Sequence, residues 1–190
     1  MPALDLSLRL ATPADIPRLE QLIEASVRGL AVHDYTPGEI DGALGTVLGL
    51  DTQLVRDGTY FVAEARAACH RLMVGCGGWS RRRTLFGSDH APLREDQFLD
   101  PSTEAAKIRA FFVHPDFARR GIGGKILDAS ESAARAAGFR RFEMGATLTG
   151  VPLYLARGYQ MVERIEVPLA NGRALAVVRM AKNDGPAIPE

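Results

Sequence analysis

The chain lacks most of the features that mark specialised protein classes. It has two cysteines in 190 residues, too few for a disulfide framework, and Cys69 and Cys76 are not in a metal-ligand spacing. We expect both to be small buried side chains in a reducing compartment. No apolar run approaches the roughly 20 residues of a membrane-spanning helix, and the first residues show no basic segment followed by an apolar stretch. The sequence therefore predicts a cytoplasmic protein with no signal peptide and no membrane contact.

Charge and histidine content exclude further classes of site. The 23 basic and 23 acidic residues give a formal net charge of +0, which argues against general nucleic-acid binding. No two of the four histidines stand three to five residues apart with a carboxylate between them, so we predict no metal site. With 46% hydrophobic residues, the chain can bury a substantial core. We expect one domain over residues 1–182 and a disordered tail over residues 183–190.

Hydrophobic periodicity and turn residues predict a mixed α/β order, β-α-α-β-β-β-α-β-α-β-β, built on one sheet. A polar stretch with no sustained period, residues 81–106, has the length of a functional lid or a mobile insertion. The predicted strands are Leu4–Leu10, Thr59–Ala65, Leu72–Trp79, Lys107–Val113, Phe139–Ala146, Tyr159–Val167 and Arg173–Met180. The predicted helices run from Pro13 to about Leu30, from Pro37 to about Leu48, from Gly121 to about Ala137 and from Val151 to about Arg157.

The most informative segment is the glycine-rich turn Gly121-Ile-Gly-Gly124 between a strand and a long helix. Helix amides at an N-terminus carry partial positive charge, so Lys125 in the first turn is locally unfavourable. No Ser, Thr, Asp or Asn stands between Phe117 and Ile122 to cap the helix. Free amides, glycines that allow close approach and added cations are typical of an anion site. We expect the anion to be a pyrophosphate.

With the downstream segment Pro152-Leu-Tyr-Leu-Ala-Arg-Gly-Tyr159, this order of elements resembles the GNAT superfamily of acyl-CoA-dependent N-acetyltransferases. The resemblance covers nearly the whole chain as element order and is sharpest from Lys107 to Tyr159. It implies a mixed, mostly antiparallel, strongly twisted central sheet flanked by helices. It also implies a splay between the fourth and fifth strands, where the pantetheine arm of acetyl-CoA lies as the acyl-donor cosubstrate.

The resemblance also assigns residues to the coenzyme. The family's pyrophosphate loop, Gln/Arg-x-x-Gly-x-Gly/Ala, is similar to Ala118-Arg-Arg-Gly-Ile-Gly123, with alanine at the usually polar first position. Main-chain groups on the preceding strand pair with the pantetheine arm, and a main-chain amide there, with Val113 as our choice, would stabilise the oxyanion. The expected cofactor-binding residues are Phe111, Phe112, Val113, Ala118, Arg119, Arg120, Gly121, Ile122, Gly123, Gly124 and Lys125.

Tyr154 is the expected catalytic residue. A phenol has a reference pKa near 10, above the value of about 8.5 for a thiol, so it can protonate a departing thiolate at neutral pH. By sequence alone a core aromatic would be the simpler interpretation; the resemblance favours the acid. Thr147 and Gly150 depart from the family's Asn-x-x-Ala, which removes the asparagine that hydrogen-bonds the cofactor.

The base and the acceptor are not assigned by the sequence. Three candidate bases lie near the predicted site in the sequence, namely Glu104, Glu143 and His114. We interpret His114 as a strand-end cap and Glu143 as solvent-facing. The family places the acceptor near the turn between the first two helices, here His33-Asp-Tyr35, which we interpret as surface residues.

Three functions remain to be weighed. The first is acetyl transfer from acetyl-CoA to a primary amine by direct attack in a ternary complex, and the second is a non-catalytic acyl-CoA-binding regulatory domain. A nucleotide-binding P-loop is disfavoured because Ile126 follows the lysine where Ser or Thr is required. Acyl-chain preference and oligomeric state stay open, with a homodimer among the alternatives.

Overall fold

The computed structural model describes residues 5–67, 70–91 and 94–184. Within these ranges the chain forms one seven-stranded sheet and five α-helices. The strands are β1 Leu6–Leu10, β2 Tyr60–Ala67, β3 His70–Ser80, β4 Ala106–Val113, β5 Arg141–Thr147, β6 Gln160–Pro168 and β7 Ala174–Asn183. The helices are α1 Ile16–Leu30, α2 Pro37–Ala43, α3 Thr52–Arg56, α4 Ile122–Ala136 and α5 Val151–Leu155. Leu4, Cys69 and residues 185–190 of the predicted tail lie outside the described residues.

The sheet has the strand order β1-β2-β3-β4-β5-β7-β6. Every neighbouring pair is antiparallel except β4 and β5, which run parallel. The predicted mixed, mostly antiparallel sheet is therefore confirmed. The last hairpin closes through Gly172, whose φ of 78° is the left-handed conformation that an Asn-Gly turn uses.

Helices cover both faces of the sheet. On the front face, α1, α2 and α3 pack over a cluster that includes Leu19, Tyr60, Phe112 and Leu175. On the rear face, α4 and α5 pack over two clusters built mainly from the alternate residues of the same strands. Cys76 is buried in the front cluster, and burial raises the pKa of its thiol to about 12. The expectation of a small buried side chain is confirmed for this cysteine.

β4 carries a bulge where it leaves its parallel neighbour. Ala110 adopts a φ of 56°, and two β4 residues there stand opposite the single Gly77 of β3. The Tyr60 hydroxyl donates a 2.7 Å hydrogen bond to the Ala110 carbonyl, which satisfies that group inside the core. β4 pairs with β5 only at Ala106 and Lys107. The expected splay between the fourth and fifth strands follows directly from this short pairing.

Two helical predictions needed correction. α2 begins as predicted, with a capping box between Thr36 and Glu39, but it ends at Ala43 and not near Leu48. Gly45 turns the chain at a φ of 78°. α3 was not predicted from the sequence; the Asp51 carboxylate caps it by accepting from the Gln53 amide at 3.0 Å.

The described part of the polar insertion between β3 and β4 is firmly anchored to the front layer. Arg82 pairs with Asp57 at 2.7 Å near the start of the insertion. Asp51, completely buried, receives Arg94 of the insertion at 3.0 Å and Arg109 of β4 at 2.7 Å. Such anchoring is the opposite of a free lid, because several buried charges would lose their partners if the segment lifted.

Candidate active site

The N-terminus of α4 presents four unpaired main-chain amides. Gly121 is the N-cap residue, with a φ of 79°, and no side chain caps the helix. Among the described residues, the N–H groups of residues 121–124 donate to no protein acceptor. A Cβ built on Gly121 would meet nothing within 4 Å, so the approach to these amides is open. The arrangement predicted from the sequence is the one present, and it suits an anion.

Three cations surround these amides without acidic partners. Arg119, Arg120 and Lys125 are exposed, and within the part of the chain that the structure describes none of them forms an ion pair. Arg120 lies over the Phe117 ring, 5.4 Å from its centroid. Arg119 has a φ of 62°, an uncommon conformation for a residue with a side chain. Unpaired cations beside free amides give this end of the molecule a local positive potential despite zero net charge.

α5 packs directly against the glycines of α4. A Cβ on Gly123 would lie 3.0 Å from Cδ2 of Leu153, and one on Gly124 would collide with the Arg157 guanidinium. Arg157 pairs with Asp128 of α4 at 2.7 Å. The glycines therefore serve two purposes, since they expose the amides and also bring α5 close to them.

The predicted β4 residues occupy different sides of the split between β4 and β5. The Phe111 ring leans over Gly77 on the rear face, and Phe112 is buried in the front cluster. The Val113 amide, our choice of oxyanion donor, donates to the Ser26 hydroxyl of α1 at 3.1 Å. A ligand in the split must therefore replace Ser26 at this amide or take the Ser26 hydroxyl as its partner.

Tyr154 lies on the rear face beside the split. Its side chain is buried, and its ring meets Phe111 edge-to-face with centroids 6.2 Å apart. Among the described residues its hydroxyl has no hydrogen-bond partner. Burial raises the pKa of Tyr154 above its ordinary value, which keeps the phenol protonated. A protonated hydroxyl with no protein partner is available to a ligand.

Two neighbours of Tyr154 are satisfied within the protein. The Thr147 hydroxyl accepts from the Gly150 amide at 3.2 Å, within the turn that leads into α5. The Tyr159 ring lies 5.9 Å from that of Tyr154, and its hydroxyl donates to Glu131 at 3.0 Å. Thr147 therefore supports the helix locally at the position where the resemblance led us to expect an asparagine.

The candidate bases behave differently. His114 accepts from the Asp116 amide through Nδ1 at 3.3 Å, which confirms that it caps the turn after β4. The interpretation of Glu143 as solvent-facing is wrong, because its side chain is buried and paired with Lys107 and Arg179. Burial alone would raise the pKa of Glu143, but the two cations lower it overall.

The turn between α1 and α2 places one side chain in the core, whereas His33 and Asp34 are exposed as expected. Tyr35 is only 5% exposed, so the interpretation of this residue as surface decoration is wrong. Its hydroxyl donates to the Ala176 carbonyl of β7 at 2.7 Å and accepts from the Leu148 amide, just after β5, at 2.8 Å. Asp34 accepts a 2.7 Å hydrogen bond from the Thr149 hydroxyl. These contacts tie the front layer to the loop that leads into α5.

Sequence reasoning missed Ser26, Phe86 and Gly145. The Phe86 ring, from the polar insertion, packs on the front face against Gly145 of β5. A serine inside an amphipathic helix and one phenylalanine in a polar loop carry no local signal, since both depend on strands distant in sequence.

The described residues contain no group of three or more His, Cys, Asp or Glu side chains placed to hold a metal ion. Among the helices that the structure describes, none has both the length and the apolar character that crossing a membrane requires.

Solved structures share this fold at low sequence identity. A GCN5-related N-acetyltransferase from Rhodopseudomonas palustris is 21% identical, with a TM-score of 0.65 over 93% of this chain and 94% of that one. YncA, a putative acetyltransferase from Salmonella typhimurium solved with acetyl-CoA, is 17% identical, with a TM-score of 0.61 over 98% of each chain. A GNAT family acetyltransferase from Brucella melitensis, in complex with acetyl-CoA, is 18% identical, with a TM-score of 0.53 over 97% of this chain and 92% of that one.

The sequence itself matches a family model. Residues 98–182 match the acetyltransferase (GNAT) domain, a range that includes β4, the glycine-rich turn, α4, α5 and nearly all of β7. A comparison with curated proteins finds no match. The match covers the elements that form the candidate site, and the fold extends the likeness to the rest of the described chain. Residues 98–182 are therefore similar to the acetyltransferase (GNAT) domain, and the described chain shares the fold of solved N-acetyltransferases.

Proposed function

We propose that the protein is an N-acetyltransferase that transfers the acetyl group of acetyl-CoA to a primary amine by direct attack in a ternary complex. The observation that carries the proposal is the set of four amides at residues 121–124 that have no acceptor in the described part of the chain, flanked by three cations that form no ion pair there. Two of the structures that share the fold were solved with acetyl-CoA, which is in keeping with such a ligand here.

The coenzyme fits the elements around the split. Its diphosphate would accept from the amides of Gly121 through Gly124, with Arg119, Arg120 or Lys125 adding charge-assisted contacts. Its pantetheine arm would lie between β4 and β5, where the strands no longer pair beyond Lys107. There the main-chain groups of residues 111–113 would pair with the arm. When bound, acetyl-CoA supplies an activated acyl group as a thioester.

The chain's own residues would position the reactants and protonate the leaving group. A neutral amine attacks the thioester carbonyl and forms the C–N bond, which places a negative charge on the carbonyl oxygen. When this oxyanion collapses, the C–S bond breaks and its electron pair leaves on sulfur. Tyr154 would donate its proton to that thiolate and then regain one from solvent; its raised pKa keeps the phenol protonated before each transfer. Holding both reactants in one site supplies much of the remaining rate enhancement.

The proton of the incoming amine would leave through water. Glu143 is poorly suited as a base, since its two cationic partners lower its pKa and occupy its oxygens. An ammonium acceptor must therefore lose its proton to solvent before attack, and the nitrogen proton is released in the same way afterwards.

A combined assay would test this proposal. Acetyl-CoA is incubated with a panel of primary amines, released thiol is quantified, and each product is checked by mass for one added acetyl group. We expect amine-dependent thiol release that matches the product formed. Tight coenzyme A binding with no amine-dependent release would instead favour the non-catalytic regulatory domain.

A further inference from the structure

The Phe86 ring, from the polar insertion, occupies the space that a side chain at Gly145 of β5 would fill. Gly145 lies two residues beyond Glu143, at which the pairing of β4 with β5 ends. A Cβ built on Gly145 would lie 2.6 Å from Cδ1 of Phe86 and 3.2 Å from its Cγ. The Phe86 ring therefore fills the front of the split, on the side opposite Tyr154.

The backbone around Phe86 is fixed. The Gly87 carbonyl accepts from the buried Arg109 guanidinium at 2.6 Å. The Ser88 hydroxyl donates to the Gly45 carbonyl at 2.7 Å. Because these anchors follow Phe86 immediately and one of them is a buried cation, the ring forms a rigid wall and does not swing with a mobile loop.

The surface around this wall is apolar. Phe86, Ala110 and Leu148 are partly exposed side chains that pack against the front cluster. Glu143, the nearest carboxylate along β5, is neutralised by its two cationic partners. A substituent placed here would gain by leaving water and would find no uncompensated charge to pair with.

We propose that Phe86 is a specificity-determining residue that limits the acceptor to primary amines with a compact apolar substituent. The inference rests on the proposed function. With the leaving group protonated by Tyr154 from the rear, the amine approaches the carbonyl from the front and its substituent meets Phe86. A short alkyl group packs against the ring, whereas an aryl group requires the volume that the ring occupies.

The test compares kcat/KM for ethylamine, butylamine, benzylamine and 2-phenylethylamine in the wild type and in Phe86→Ala. We expect the ratio of kcat/KM for benzylamine to kcat/KM for ethylamine to rise about tenfold to a hundredfold in Phe86→Ala. Changes in pocket size typically alter discrimination between substrates by this amount. Phe98→Ala is the matched control: it makes the same change in the same insertion, but its side chain is 62% exposed and should leave the ratio unchanged. Phe86→Leu, which keeps most of the apolar volume, should give a smaller shift in the same direction and serves if Phe86→Ala does not fold.

The outcomes separate the two proposals. Wild-type protein that acetylates none of these four amines but does acetylate other primary amines of the wider panel overturns the inference alone. Wild-type protein that acetylates no amine of either set overturns the proposed function and the inference with it. Active variants at position 86 that keep the wild-type ratio overturn the role of Phe86 alone, and so does an equal shift in Phe98→Ala.

Discussion

Replacing Tyr154 with phenylalanine should separate chemistry from stability. The Tyr154 side chain is buried, and its hydroxyl has no hydrogen-bond partner among the described residues, so removing the hydroxyl costs the fold little, within about 1 kcal/mol. In catalysis, a lost general acid typically lowers kcat by about 10²- to 10⁴-fold, equivalent to roughly 3–5 kcal/mol of activation free energy. The KM for acetyl-CoA should change little, because the proton is transferred only in the transition state.

Tyr159→Phe is the matched control. The two rings are 5.9 Å apart, but the Tyr159 hydroxyl donates to the buried Glu131 carboxylate. Losing a hydrogen bond to a charged group costs about 1.5–3 kcal/mol, which in a chain of this size lowers Tm by roughly 3–12 °C. Its kcat should stay close to the wild-type value.

Steady-state kinetics and thermal unfolding followed by circular dichroism measure both variants. The expected result is a slow, stable Tyr154→Phe and a fast, less stable Tyr159→Phe. Wild-type kcat in Tyr154→Phe would refute its assignment as the acid. A large fall in Tm for the same variant would show that its hydroxyl has a structural partner, contrary to the geometry described above.

Three further predictions follow from the site and its supports. Gly123→Val should raise the coenzyme A Kd by roughly tenfold to a hundredfold, which corresponds to the loss of one charge-assisted hydrogen bond. The control Ser132→Val, on the exposed face of α4, should leave this Kd unchanged. Calorimetry measures the Kd of both variants. Asp51→Asn should destabilise the fold by about 3–5 kcal/mol in urea unfolding, because it leaves Arg109 buried without a counter-ion. The rate should rise with pH toward the pKa of the acceptor amine, because only the neutral amine attacks. The raised pKa of Tyr154 keeps this acid protonated where the amine becomes neutral, so we expect kcat not to fall below about pH 10. A decline in kcat below that pH would contradict this.

The sequence predicted the elements whose signals are local. α1 and α4 follow helical spacing, and the β6–β7 hairpin follows its Asn-Gly turn. The uncapped N-terminus of α4 could be predicted because its evidence, glycines beside cations with no capping residue, lies within a few consecutive residues. The α2 end and α3 were missed, since both are set by short turns around Gly45 and Asp51 that leave no periodic pattern.

Side-chain environments were harder to predict than elements. Glu143 is buried because Lys107 comes from one neighbouring strand and Arg179 from the other, and neither is near it in sequence. Tyr35 is buried because its hydroxyl forms hydrogen bonds with β7 and with the segment just after β5. Partners of this kind depend on strand order and register, which a single sequence does not specify.

One phenol links the two sides of the sheet. Through its bonds to Ala176 and Leu148, Tyr35 holds the α1–α2 turn and the segment leading to Tyr154 as one rigid unit. Burial raises the pKa of Tyr35 to about 12, so the link stays intact at the alkaline pH where amines lose their proton. The positions of the α1–α2 turn and of the loop that leads into α5 are thus fixed relative to each other by a residue that has no part in the proposed chemistry.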